Sequence, residues 1–467
     1  MTTDTDLVAA GDSGAEVLPR RRFPLRYVSV AGAAAPALLI IVLVVRYWTN
    51  LPSGDELDFV NIISAHRHGT MSFADFYAQH NEHRILFPNL VMFVLAQASG
   101  WDTRWEMAFS LVVALVTFTL LALMLRRGLR TGWVLAVAVP LASLVLFSPV
   151  QYENWLWGWQ IDWFMMVLGI VGALCALSIW NSPRSWKPMV VAIAAATLAT
   201  YSLGSGMLVW VVCLPVLLVE RRLRRWTPVW VVLGAVEIAL YFTDYQTPSD
   251  QDDSATILRH PVAFGHYLSI YLARPLVPGF SPHKSELVAG WLLLVLAAAF
   301  GYLAVRRRAD LVVALPWFCL AGYTVLAGTI TASSRLVLGI PQAAASRYTA
   351  ISNLFVVSIV AVVGILLSGT RRRHEALAGD GGGGRVAARS VPVLSAVVLV
   401  LIGTLALANY WPGVKDLRQY GLTRKDALAC ALHATGPDDP CLGALYPYPK
   451  IAWDRVQYLR SVHMGGL

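Results

Sequence analysis

The chain has 467 residues, of which 57% are hydrophobic and only 14% are charged. A soluble domain of this size does not normally have that composition, so we expect a protein that crosses a membrane many times. A net charge of +9 would suit a nucleic-acid partner only if the basic residues formed one face. They lie instead in short runs between apolar segments, which argues against nucleic-acid binding.

Apolar runs of about 20 residues, the length that crosses a bilayer as a helix, begin at eleven places along the chain. Their first residues are Val28, Trp105, Gly132, Asp162, Pro188, Gly206, Thr227, Leu287, Leu311, Ala350 and Ser390. We therefore predict an all-α polytopic membrane protein with about eleven transmembrane helices. A shorter run, Phe87 to Ser99, is expected to lie in the interface or to re-enter the membrane without crossing it.

The basic residues predict the orientation of the chain. If Phe87 to Ser99 does not cross, six basic clusters fall on one side, which the positive-inside rule identifies as the cytoplasm. The clusters are Arg20 to Arg26, Arg126 to Arg130, Arg184 with Lys187, Arg221 to Arg225, Arg306 to Arg308, and Arg371 to Arg389. We therefore predict a multi-pass plasma-membrane protein with a cytoplasmic amino terminus and an extracytoplasmic carboxyl terminus.

These spans divide the chain into three parts. Residues 1–27 are predicted to be a cytoplasmic tail, 28–409 a transmembrane domain whose first external loop covers about 48–104, and 410–467 an extracytoplasmic tail. The first apolar run is too long for the core of a signal peptide, so we expect it to remain as an anchor. In the last part, Cys430 and Cys441 are expected to form a disulfide, because that compartment is oxidising, and free thiols are the alternative.

The first external loop contains two polar groups. The run Gly54-Asp55-Glu56-Leu57-Asp58 directly follows the first apolar segment, and His80-Asn81-Glu82-His83-Arg84 comes later in the loop. Ionisable groups beside a bilayer are costly and are usually kept where they pair, line a wet cavity or do chemistry. The stretch between the groups is amphipathic, so interfacial helices could bring them together. Solvated loop residues are the alternative interpretation.

On these residues the chain resembles the GT-C superfamily of integral membrane glycosyltransferases, which use polyprenyl-phosphate-linked sugars. The resemblance covers the many spans, the long first loop, its interfacial helices and the acidic motif Asp55-Glu56-Leu57-Asp58. It implies that Asp55 is the general base and that Glu56 and Asp58 position it or bind a metal. The chain lacks a Trp-Trp-Asp-Tyr-Gly motif and a large soluble carboxyl-terminal domain. Transfer of a whole oligosaccharide to protein is therefore not expected.

The leaving group in such a reaction is a phosphate, so cations should face it. Arginine suits phosphate because its planar fork donates two parallel hydrogen bonds. The predicted donor-phosphate residues are His80, His83 and Arg84 from the first loop, and Arg335, Arg347 and Tyr348 from the segment 333–349. The alternative for either of the two later arginines is that it only reaches the lipid headgroups.

Sugar contacts are predicted in the tryptophan-rich segment Tyr152 to Gln160, because tryptophan faces stack on sugar rings. The predicted sugar-binding residues are Glu82, Glu153, Asn154, Trp155 and Trp157. An interfacial aromatic belt would explain the tryptophans equally well. A divalent cation could be held by Asp55, Asp58, His80, Glu82 and His83, but no spacing among them is diagnostic of a metal site.

Together these features predict an inverting glycosyltransferase that moves a sugar from a polyprenyl-phosphate donor to a cell-envelope glycan or glycolipid. The lipid bilayer is its other partner. The main alternative is a non-catalytic transporter of lipid-linked glycans or an envelope-assembly subunit that binds the same ligands without reaction. A ligase or polymerase of long glycan chains is a third candidate, and it would rely more on arginine and histidine than on Asp55.

Overall fold

The computed structural model describes residues 25–129, 131–179, 185–247, 256–277, 284–377 and 387–467. The predicted tail 1–27 lies outside these ranges except for its last three residues, which begin the first helix. Parts of the predicted basic clusters also lie outside them, namely 20–24, Arg130, Arg184 and 378–386.

The described chain is almost wholly helical. The helices are α1 (Leu25–Tyr47), α2 (Val60–Arg67), α3 (Phe73–Tyr77), α4 (Leu86–Ser99), α5 (Arg104–Gly128), α6 (Gly132–Leu146), α7 (Tyr152–Leu156), α8 (Ile161–Ile179), α9 (Lys187–Thr200), α10 (Val209–Val212), α11 (Leu214–Val219), α12 (Thr227–Tyr241), α13 (Thr256–Arg259), α14 (Pro261–Ala273), α15 (Lys284–Arg306), α16 (Arg308–Arg335), α17 (Thr349–Leu377), α18 (Ala387–His433) and α19 (Pro449–Val462). The described strands are β1 (Gln79–His80) and β2 (His83–Arg84), which form an antiparallel hairpin.

Nine 3₁₀ helices connect or extend these elements in the described ranges. They are Gly54–Phe59, Pro149–Gln151, Gly158–Gln160, Gly204–Leu208, Arg224–Trp226, Leu336–Leu338, Ile340–Ala344, Ser346–Tyr348 and Pro440–Ala444. Most of them lie at the end of the bundle where α1 ends, and that end carries the candidate site.

The predicted all-α, polytopic fold is confirmed. Eight helical stretches of the described chain are long and apolar enough to cross a membrane. They are Tyr27–Tyr47, Arg104–Gly128, Gly132–Leu156, Gly158–Ile179, Lys284–Arg306, Asp310–Leu338, Ser346–Gly369 and Val391–His433. Each corresponds to one of the eleven apolar runs.

The other three apolar runs form shorter helices. These are α9 with 14 residues, the broken stretch Gly204–Val219, and α12 with 15 residues. At about 1.5 Å of rise per residue such helices reach about 25 Å or less, against about 30 Å of hydrocarbon. Gly206, in the 3₁₀ helix that follows α9, lies against the last turn of α9, where a Cβ would come 1.9 Å from the Ala199 carbonyl oxygen. The chain therefore turns back sharply between α9 and the stretch that follows.

The bundle is packed around α17, whose spanning part is wholly buried. This helix contacts α6, α16 and α18, and α8 lies between α5 and α9. Close approach of α8 and α9 depends on Gly169, where a Cβ would lie 2.5 Å from the Ala195 carbonyl oxygen. Small residues at such contacts let helix backbones approach in a membrane, where burial from water supplies no driving force.

A second hydrophobic cluster lies at the end of the bundle where α1 ends. It joins Leu57, Phe59 and Trp101 of the first loop to Leu442 and Leu459 near the carboxyl terminus. We call the first loop, residues 48–104, together with residues 427–467, the cap. The predicted boundary at residue 409 falls inside α18, so one continuous helix of 47 residues leads from the bundle into the cap.

Candidate active site

The acidic motif forms a short 3₁₀ helix, Gly54–Phe59, which we call the acidic turn. It begins with a capping box, in which the Ser53 backbone N–H donates to Glu56 Oε2 at 3.2 Å. Residues three apart on a 3₁₀ helix lie on the same face. Asp55 and Asp58 therefore point to the same open side, with 47% and 25% of their side chains exposed.

The hairpin of β1 and β2 brings the second polar group of the loop to the acidic turn. His80 lies opposite His83 in the hairpin, and Asn81 makes the turn with a positive φ of 50°. His80 Nε2 lies 3.9 Å from Asp55 Oδ2, and His80 Nδ1 lies 3.7 Å from Asp58 Oδ2. Its ring packs on Trp159 with 4.8 Å between centroids. The two polar groups of the loop therefore form one cluster.

The charges around Asp55 favour its ionised form. Burial alone would raise the pKa of this carboxyl, but His80, Arg347 and His83 outweigh burial and hold the pKa below its ordinary value. Asp55 is therefore a carboxylate throughout the neutral range, which is the form that can accept a proton.

A second charged group lies beside the first. Arg335, at the end of α16, donates from Nη2 to Glu82 Oε1 at 2.5 Å, and His83 Nε2 lies 3.7 Å from the same oxygen. Burial opposes ionisation of Glu82, but His83 and Arg335 hold its pKa below the ordinary value. This pair joins the first loop to the segment after α16, so the predicted residues of both regions meet here.

His83 is present as a neutral side chain. Burial lowers the pKa of His83 to about 4, although Glu82 acts in the opposite direction. The Gly204 backbone N–H donates to His83 Nδ1 at 3.3 Å, which leaves the proton on Nε2. His83 can therefore donate a hydrogen bond to a phosphate, but it does not supply the positive charge that we expected of it.

Arg347 is held by contacts to its backbone. Its N–H donates to Glu153 Oε2 at 3.1 Å, and its carbonyl accepts from Asn154 Nδ2 at 3.0 Å. Its guanidinium lies over the Tyr348 ring, 5.7 Å from the centroid, and close enough to Asp55 to lower that carboxyl's pKa. The guanidinium forms no salt bridge with any residue in the described ranges. Its positive charge interacts with the carboxylates of Glu153 and Asp55, and the residue is partly exposed, so an anion could reach it.

Glu56 is separated from the other two acids of the motif. Its side chain is fully buried, and burial raises its pKa although the neighbouring Glu106 and Arg424 act to lower it. A Cβ on Gly158 would lie 2.6 Å from Glu56 Oε1 and 2.1 Å from Glu106 Oε2, so only glycine leaves room for both carboxyls. Glu56 therefore supports the acidic turn from below and does not reach a substrate or a metal at the open side.

Glu56 should make the stability of the protein depend on pH. A carboxyl whose pKa is raised on folding stabilises the fold below its unfolded pKa, near 4.5, and loses that contribution as pH rises. We expect the thermal unfolding midpoint of the wild type in lipid nanodiscs to decrease as the pH rises above about 4.5. Glu56→Gln should flatten this slope, whereas Asp426→Asn, at an exposed position of α18, should leave it unchanged. Equal slopes in all three proteins would contradict the assignment.

The structure corrects the prediction for Arg84. This side chain is buried, and its guanidinium donates to backbone carbonyls of Tyr241 at 2.6 Å, Tyr77 at 2.9 Å and Thr243. It joins the hairpin to the end of α12 and is not placed to bind a donor phosphate. Tyr348 is also buried, where its ring packs near Trp163 and Tyr271, so it supports Arg347 from below.

Three of the predicted sugar contacts donate hydrogen bonds within the protein. Asn154 is fully buried and holds the Arg347 carbonyl, and Trp155 is buried with its Nε1–H donating to the Ser148 carbonyl at 2.9 Å. Trp157 covers Gly54 and donates from Nε1 to the Ser53 carbonyl at 3.0 Å. Asn154 therefore fixes Arg347 and Trp157 fixes the acidic turn, while Glu153, Glu82 and Trp157 remain partly exposed.

Several site residues were not singled out from the sequence. Tyr446 and Arg455, near the carboxyl terminus, contact Asp58 Oδ1, and Arg424 of α18 donates to Ser53 Oγ at 2.7 Å. Asp162, at the start of α8, is buried beneath the site. Only Asp162 had a signal in the sequence, as an acid at the first turn of a spanning helix. The other three contact residues that are hundreds of positions away.

A cation could be held by Asp55, Asp58 and His80, whose ligand atoms lie within 4.8 Å of one another. Two carboxylates and an imidazole suit a divalent ion. The other oxygen of Asp58 is paired with Arg455, whose positive charge opposes binding of a cation at this position. The described residues thus offer three ligands in a cluster of low net charge.

No family model matches the chain, and no curated protein matches it. Among solved structures it is similar to ArnT from Cupriavidus metallidurans, in a crystal structure bound to undecaprenyl phosphate. The match covers 94% of this chain and 88% of that one, with 14% sequence identity and a TM-score of 0.45. At that identity and TM-score the likeness assigns no activity to this chain.

Proposed function

We propose that this chain is a GT-C-type glycosyltransferase that moves a sugar from a polyprenyl-phosphate donor to a cell-envelope glycan or glycolipid. The observation that carries the proposal is the placement of Asp55 and Arg347. An ionised, half-exposed carboxylate lies within electrostatic reach of an arginine that forms no salt bridge with a described residue. Such a pair can take a proton from an attacking hydroxyl and accept the negative charge of a departing phosphate.

The proposed reaction is a single displacement. An acceptor hydroxyl oxygen forms a bond to the anomeric carbon while the bond from that carbon to the phosphate oxygen breaks. The hydroxyl proton passes to Asp55, and the bonding electrons leave with the polyprenyl phosphate. Attack opposite the leaving group inverts the anomeric configuration. A positioned base of this kind typically contributes about 10²–10⁴ to the rate.

Two arginines support the leaving group in this proposal. Arg347 forms no salt bridge with a described residue, whereas Arg335 is paired with Glu82. A donor phosphate that reached Arg335 would compete with this carboxylate, whose Oε1 also lies 3.7 Å from His83 Nε2. The two unbridged oxygens of a donor phosphate can accept two parallel hydrogen bonds from the planar guanidinium fork, as a carboxylate does.

The orientation proposed for the enzyme places this site on the extracytoplasmic face. The support is the positive-inside rule, which puts the basic clusters in the cytoplasm and so the cap outside, together with the disulfide that joins Cys430 to Cys441 in the cap. The site then faces the compartment that contains cell-envelope glycans, at a depth where the phosphate of a lipid-linked donor would lie.

The test is release of polyprenyl phosphate by the purified protein in lipid nanodiscs. A panel of polyprenyl-phosphate sugars is supplied with a crude envelope acceptor, and the same sugars linked to nucleotides serve as controls. Release from one lipid-linked donor, with none from its nucleotide counterpart, is the expected result. Donor binding without release would favour the transporter or assembly-subunit alternative, and absence of both would overturn the proposal.

A further inference from the structure

Asp58 is held by the carboxyl-terminal end of the chain. Its Oδ1 accepts a hydrogen bond from the Tyr446 hydroxyl at 3.0 Å and pairs with the Arg455 guanidinium, which also lies over the Tyr446 ring. Its Oδ2 faces His80 Nδ1 at 3.7 Å. One oxygen of this carboxylate is therefore fixed by the carboxyl-terminal region, and the other is presented to the site.

The same region also holds the start of the acidic turn. The Gly54 backbone N–H donates to the Leu445 carbonyl at 2.6 Å. The side chains of Leu442, Leu445 and Leu459 are buried against the acidic turn's Leu57 in the second hydrophobic cluster. We call residues 434–467 the tail segment. It contacts both ends of the short helix that carries Asp55 and Asp58.

The disulfide fixes where the tail segment leaves α18. Cys430 lies in the last turn of α18, and Cys441 lies in the 3₁₀ helix Pro440–Ala444, shortly before Leu445 and Tyr446. Without this bond, the connecting residues could adopt many more conformations, and the tail segment would lose part of its restraint.

Arg455 also sets the charge at the site. Two carboxylates that share one histidine repel each other, and repulsion would move them apart. The guanidinium of Arg455 neutralises Asp58, so that the negative charge beside His80 is concentrated on Asp55. Arg455 and Tyr446 would therefore affect activity without contacting the substrate.

We propose that the tail segment is a positioning element of the active site, kept in place by the Cys430–Cys441 disulfide. Arg455 and Tyr446 fix Asp58, and Asp58 orients His80 towards Asp55. The inference concerns the active site of the proposed glycosyltransferase. It rests on that proposed function only in the test that measures activity.

The first test compares Arg455→Met and Arg455→Lys with Lys450→Met, a substitution at an exposed position of the same helix. Loss of the hydrogen-bonded partner of a metal ligand typically costs about 10–100-fold in activity, and we take the same range for the partner of Asp58. We expect Arg455→Met to lower kcat by about that factor with KM for the donor unchanged. Arg455→Lys should recover part of the loss, and Lys450→Met should match wild type. Full activity in Arg455→Met, or an equal loss in Arg455→Lys, would overturn the inference.

The second test needs no activity, so its failure is distinct from failure of the proposed function. Hydrogen exchange of the backbone amides in the acidic turn is measured with and without reductant, in the wild type and in the double variant Cys430→Ser, Cys441→Ser. Reduction should speed exchange in the wild type. The double variant should exchange fast in both conditions. Unchanged exchange on reduction of the wild type would show that the disulfide does not hold the tail segment in place.

Discussion

Asp55→Asn should abolish sugar transfer and leave donor binding nearly intact. The amide keeps the size of the side chain and can still contact His80, but it cannot take the proton of the acceptor hydroxyl. Loss of a general base lowers the rate by about 10²–10⁴-fold. The measurement is the initial rate of polyprenyl phosphate release at saturating donor, with donor affinity determined separately by titration of the same preparation.

The matched control for this variant is Asp426→Asn. Asp426 is an exposed carboxylate of α18 that lies directly before the cap and outside the cluster of Asp55, Asp58 and His80. Its substitution should change neither the rate nor the affinity. If Asp55→Asn retained wild-type turnover, the proton would have another acceptor and the assignment of the base would be wrong. A loss that followed donor affinity instead would favour binding without reaction.

Arg347→Gln should weaken donor binding more than any other single substitution among the arginines of the site. The backbone contacts to Glu153 and Asn154 do not depend on the side chain, so the local fold should survive. Hydrogen bonds to charged groups contribute about 1.5–3 kcal/mol, which corresponds to about 10–150-fold in affinity. Titration with an unreactive polyprenyl phosphate measures the loss directly.

Arg84→Gln is the comparison variant for the titration of Arg347→Gln with polyprenyl phosphate. Its guanidinium donates to three backbone carbonyls that link the hairpin to the end of α12. We expect a lower unfolding midpoint, with donor affinity affected less than in Arg347→Gln. If Arg84→Gln lost more affinity at unchanged stability, Arg84 would be the phosphate ligand, and the distinction drawn between the two arginines would be reversed.

The fold class and the position of the candidate site could be predicted from the sequence. Long apolar runs have to form helices in a bilayer, because each backbone polar group must be satisfied within its own segment. The acidic motif indicated where the candidate site lies. Ionisable groups directly after a membrane span are costly and are usually kept where they pair, line a wet cavity or do chemistry. Asp55 and His80 were both named, and the structure brings them together.

The roles of residues of the same type could not be predicted in this way. Arg84 and Arg347 have the same side chain, and only their neighbours show that one is occupied by backbone carbonyls while the other faces the site. Glu56 is adjacent to Asp55 in sequence, but the 3₁₀ helix turns it inward to Glu106. Burial and partners depend on packing, which a single sequence does not specify.

The sequence by itself determined that this protein is a helical membrane protein with a carboxylate cluster after its first span. Both properties follow from local composition and spacing, which need no distant contacts. The tertiary structure alone decided that Asp58 is held by Tyr446, 388 residues later in the chain, and that the arginine beside Glu82 is Arg335. Contacts over such separations depend on how the helices pack and where each turn is placed, so only the folded molecule defines the complete site.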